Sequence, residues 1–223
     1  AIAGPRYPLP STKAEHYRAW ERAVAQAPER AAVWYQWGDA LYHVGPFIGI
    51  PDHRARAAAA FERGLRVDST YLLPLSHLVE ISLDAGRIDR ALDFMGRYLS
   101  DPRDPATADY LRWRVAVATD DDGERAALRD HFPDMDVASL GSIMKAAQFT
   151  GRGLDDAEAI ADLDINRWSA PVERWTMLFR RHSLALNRGR TGEARELAEA
   201  MEDVAPGPSV SEFTLIRDAL FGG

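Results

Sequence analysis

Residues 34–65 read WYQWGDALYHVGPFIGIPDHRARAAAAFERGL, and the spacing of their apolar and small residues decides the fold class. Val33, Trp34, Trp37, Ala40 and Leu41 recur at intervals of three and four, so they share one face of a helix. Gly38 lies within that face, where glycine costs helix stability relative to alanine. Such a cost is tolerated where a second helix must come close to the backbone. Ala57, Ala60, Phe61, Gly64 and Leu65 supply that second helix, with small residues where the backbones meet. Two antiparallel helices joined in this way leave apolar surface uncovered and require neighbours.

The neighbours are legible as a period. Ala57 and Ala91 stand 34 residues apart, and so do Phe61 and Met95. Upstream, Trp20 and Ala23 precede Ala27-Pro28 as Phe61 and Gly64 precede Val67-Asp68-Ser69. A period of 34 with Trp, Gly, Ala, Phe and Pro landmarks resembles the tetratricopeptide repeat family. Trp34, Trp37 and Gly38 match that family's first-helix landmarks, Ala57 and Phe61 its second-helix ones, and Pro28 the proline closing the preceding repeat. Gly86 with Ala91, and Gly189 with Ala194, match the turn glycine and packing alanine of later repeats. The likeness is good over residues 12–100, loose over 106–165 and moderate over 171–205. It implies an all-α fold of antiparallel helix hairpins stacked into a right-handed superhelix. A single domain over 1–223 is expected, with an extended segment at 1–11, repeats over 12–205 and a capping helix at 209–221.

Composition narrows the function. The 223 residues suit one domain, and 46% hydrophobic with 27% charged residues is an ordinary globular balance. There is no cysteine, hence no disulfide framework, thiolate chemistry or zinc–cysteine site. A formal charge of −7 opposes nonspecific binding to nucleic acid or anionic membrane. No apolar run reaches the roughly 18 residues of a membrane span. The chain opens Ala1-Ile2-Ala3, and its first helix reads as the second half of a repeat, so a piece of a longer protein is expected.

Along the chain, residues 4–10 (GPRYPLP) are proline-rich and extended. Thr12 and Glu15 have the form of a capping box opening a helix through Gln26. The hairpin over 31–67 follows, with about seven more residues between its helices than the family pattern has, at 44–51 (VGPFIGIP). Helices are expected over 71–85 and 88–99, with Pro74 in a first turn. After the break at 101–105 (DPRDP), helices are expected over 106–119, 124–132, 137–149, 155–163, 171–187 and 192–204. Ser209 and Glu212 form another capping box, and Phe213, Ile216 and Leu220 share one face of a last helix.

Residues suited to chemistry are scattered. The six histidines, at 16, 43, 53, 77, 131 and 182, include no pair four apart on a helix, so no metal site is expected. Asp120, Asp122 and Glu124 alternate like the start of a calcium loop, but the twelfth position is His131 instead of a glutamate. Gly151-Arg152-Gly153 lacks the lysine and preceding strand of a phosphate loop. Ser139 and Ser142 have no nucleophile elbow around them. No catalytic residue and no cofactor site is read from the sequence.

The resemblance instead directs attention to the groove lined by first helices. Family positions facing it map onto Tyr35, Asp39, Tyr42 and His43, then onto Ser76, Glu80 and Asp84, and more loosely onto Tyr110, Trp113 and Val117. Some members clamp a peptide's C-terminal carboxylate with lysine and asparagine. Here Asp39 and Glu80 stand at the corresponding positions and would repel it, so an apolar or basic segment is the expected partner. Two readings of these aromatics are open, partner contact or packing between helices. Phe47, Ile48 and Ile50 in the inserted loop likewise either cover the edge of the array or form an apolar lip for a partner. Residues 34–35, 38–45, 56–57 and 61–65 also look like repeat regions C-terminal to bacterial signalling proteins, among them serine/threonine kinases and transcriptional regulators. The expected function is therefore non-catalytic: a protein-interaction or scaffold domain of a bacterial signalling protein, or alternatively a fixed subunit of a larger assembly. The expected partner is a protein or peptide.

Overall fold

The computed structural model describes residues 12–100 and 104–204. The segment at 1–11 and the capping helix at 209–221 lie outside the described residues. Among the described residues every regular element is helical. The chain divides into two compact units, Ala1–Arg103 and Asp104–Gly223. The boundary falls in the proline-punctuated break read from the sequence.

The first unit holds α1 (Lys13–Gln26), α2 (Ala31–His43), α3 (His53–Val67), α4 (Pro74–Asp84) and α5 (Ile88–Leu99). The capping box forms as expected: Glu15 N–H donates to Thr12 Oγ1 at 3.1 Å, and Thr12 N–H donates to the Glu15 carboxylate at 3.1 Å. Each helix packs on its successor, and α2 on α3 is the closest pairing. Gly38 explains why: a Cβ there would stand 2.6 Å from the ring of Phe61, which is fully buried. Leu41, Ala57, Ala60, Leu75, Leu78, Val79 and Ala91 complete this core. The helix expected from residue 71 begins at Pro74, which sits where its missing N–H leaves no donor unsatisfied. Ahead of it, Asp68 ties off the turn by accepting from Thr70 N–H at 2.9 Å and Thr70 Oγ1 at 2.7 Å.

The second unit holds α6 (Pro105–Thr119), α7 (Asp122–His131), α8 (Val137–Thr150), α9 (Leu154–Ala161), α10 (Pro171–Asn187) and α11 (Thr191–Val204). Here α6 packs on both α7 and α8, while α10 packs on α8, α9 and α11. Trp113, Leu128, Phe132, Leu140, Ile143, Met144 and Ile160 are fully enclosed. A smaller cluster of Leu178, Ala198 and Met201 joins α10 to α11. No described helix is long and apolar enough to cross a membrane.

Candidate functional site

Polar and aromatic side chains converge where α2 and α4 lie near each other in the first unit. The α2 period places Asp39 and His43 one turn apart, and α4 brings His77 against them. Asp39 Oδ1 lies 3.4 Å from His43 Nε2 and 3.5 Å from His77 Nε2, and the two Nε2 atoms are 3.3 Å apart. The three atoms thus form a nearly equilateral triangle. Tyr42 stands edge-on to both imidazoles, with centroids 4.9 Å from His43 and 5.2 Å from His77. Its hydroxyl donates to Glu80 Oε2 at 3.4 Å. Phe61 supports the His77 ring at 4.9 Å, and Tyr35 contacts Phe61, Tyr71 and His77 at 5.9, 5.9 and 6.1 Å.

Burial governs the electrostatics. It pushes the His77 imidazole down to about 4; the Asp39 carboxylate opposes that shift and His43 adds to it. The ring is therefore neutral at neutral pH. Burial first, then Asp39 and Tyr71, raises the Tyr35 phenol above its ordinary value.

The expected site residues separate into groups. Tyr35, Asp39, Tyr42, Ser76 and Glu80 are half-buried along the α2–α4 face, and His43 and Asp84 are exposed on it. Asp84 accepts from Arg54 at 2.6 Å, so part of the acidic lining is engaged internally. The inserted segment carries one 3₁₀ turn, Gly45–Ile48, in which Ile48 is half-buried, as is Ile50 beyond it. Phe47 is 71% exposed, with the Lys13 ammonium 3.7 Å over its ring. Tyr110 is half-buried against the second unit's core, which also takes in Val117. Trp113 corrects the expectation. It is 1% exposed and its indole N–H donates to Asp156 Oδ2 at 2.8 Å, so it belongs to the interior, not to a groove. The loose alignment of α6 with the repeat pattern assigned it to the wrong face.

Sequence reading missed His77. It sits 34 residues after His43, one full period, and that spacing was the available signal. The cluster is assembled across two hairpins, so spacing within one helix reveals only the Asp39–His43 pair.

A second constellation surrounds Asp156, which is fully buried. Its Oδ2 accepts from Trp113 and from Arg125 Nε and Nη2 at 3.0 and 2.9 Å, and its Oδ1 accepts from Arg129. The neighbouring Asp155 accepts from Arg125 at 2.7 Å and also from Arg129. Both Asp156 oxygens are engaged, which describes a structural tie among α6, α7 and α9. No protein-family model matches this chain, and no curated protein matches it significantly.

Proposed function

We propose that the chain is a non-catalytic, tetratricopeptide-type helical repeat domain that binds a protein segment on the α2–α4 face. In this reading it serves as a regulatory or scaffolding part of a larger bacterial signalling protein, as the resemblance over residues 34–65 implies. One observation carries the binding assignment: half-exposed Tyr35, Asp39, Tyr42 and Glu80, from consecutive hairpins, lie along one face instead of being absorbed into the core. Amphipathic aromatic rings beside carboxylates suit an extended apolar or basic segment.

The test is selection from a random peptide display library, followed by fluorescence anisotropy on the peptides recovered. Enrichment of basic–apolar sequences, bound at least about tenfold more weakly by a Tyr42→Ala, Glu80→Lys variant, is expected. Peptides bound equally by the variant, or no enrichment, would sink the assignment. The exposure of Phe47 favours one second reading, a fixed subunit of an assembly. That reading expects the isolated chain to self-associate in a way that Phe47→Asp relieves, read by sedimentation velocity.

A further inference from the structure

We propose that Asp39, His43 and His77 form a binding site for a divalent transition-metal ion of the zinc class, bridging α2 and α4. The proposal does not depend on whether a protein segment docks on this face.

The warrant is the triangle of ligand atoms, with edges of 3.3, 3.4 and 3.5 Å. A tetrahedral ion with bonds of about 2.0–2.2 Å needs ligand atoms about 3.3–3.6 Å apart, so these edges form one face of such a tetrahedron. An octahedral magnesium site, with bonds of about 2.0–2.1 Å, would need edges near 2.9 Å, and calcium takes oxygen donors throughout, so the hard cations fit poorly. Hydrogen bonding alone accounts less well for the spacing, since charge-assisted contacts settle at about 2.7–2.9 Å. Two imidazole nitrogens and one carboxylate oxygen are the donor set that zinc-class ions take.

The surroundings hold the ligands in place. His77 Nδ1 lies 3.4 Å from Ser76 Oγ, and a proton held there leaves the Nε2 lone pair directed at the cluster. Tyr42 packs perpendicular to both imidazoles, at 90° and 89°, which limits their rotation. The His77 side chain is 14% exposed while those of Asp39 and His43 are 35% and 58% exposed. The site is thus anchored on one side and open on the other, leaving the fourth position to water or to a donor from an incoming partner. An ion there would tie two successive hairpins and stabilise the folded chain by mass action.

The test uses the full chain, freed of metal with a chelator and titrated with Zn²⁺ by calorimetry. Asp39→Asn and His43→Ala alter half-exposed or exposed positions, and circular dichroism without metal verifies that they fold. His131→Ala, exposed in the second unit, is the control. The expected result is a single Zn²⁺ per chain, bound at least about tenfold more weakly by each cluster variant and unchanged in the control. Co²⁺ should give the intense visible absorption of tetrahedral coordination, lost in His43→Ala. Absence of saturable uptake, or equal uptake by the parent and both cluster variants, would overturn the site. Peptide binding measured in chelator reports separately on the recruitment reading.

Discussion

At the scale of single residues, Gly38 shows what the helix interface demands. Alanine would gain about 1 kcal/mol of helix propensity. Its Cβ would also press to 2.6 Å from a Phe61 ring that is fully buried, and overpacking of this kind typically costs about 1–3 kcal/mol. Gly38→Ala is therefore expected to lower the urea midpoint, and adding Phe61→Leu should recover part of the loss; a raised midpoint would contradict the close approach. Asp136 makes a different local point. Burial raises its carboxyl pKa, but the Ser139 N–H, the Ser139 hydroxyl and the Ala138 N–H outweigh this and hold it below the ordinary 3.8. Its charged form caps α8, so Asp136→Ala should cost about 1 kcal/mol at neutral pH. Because the folded pKa is depressed, that stability is present above the unfolded pKa near 3.8 and is lost as pH falls through the folded value. The denaturation curves of the two proteins should converge in acid.

At the scale of elements, the tie around Asp156 decides how α6, α7 and α9 stay together. Removing this carboxylate would leave the Trp113 N–H without its acceptor and the Arg125 and Arg129 guanidiniums sharing Asp155. An uncompensated buried charge costs about 3–5 kcal/mol; with Asp155 still paired to both arginines, Asp156→Ala should destabilise the second unit by less than that. Asp156→Asn, which keeps the shape but not the charge, should fall between the two. The inserted segment behaves oppositely. Phe47 is 71% exposed, so Phe47→Asp should change stability by no more than about 0.5 kcal/mol. A larger loss in thermal melts would show that the ring packs the edge after all.

At the scale of the whole molecule, each compact unit carries its own buried residues: Phe61, Leu41, Leu75 and Leu78 in one, Trp113, Leu140, Ile143 and Met144 in the other. Expressed separately, residues 1–103 and 104–223 should each give a helical spectrum and a cooperative melt. Failure of either to fold alone would contradict two self-contained cores.

The local order of this chain was open to reading from residues alone, because helix signals act over three or four positions. The hairpin over 31–67, the Thr12 capping box, Pro74 in a first helical turn and the break before residue 106 all follow from short-range periodicity and backbone chemistry. What needed tertiary structure was every assignment across hairpins. Trp113 has the spacing of a surface-lining aromatic, and only α9, by supplying Asp156, makes it an interior residue. His77 has no second histidine on its own helix, and only the packing of α4 near α2 sets it beside Asp39 and His43. Sequence periodicity determined which residues share a helix face; which faces meet, and hence which donors converge, was decided by side-chain packing between helices, as where Gly38 admits the Phe61 ring.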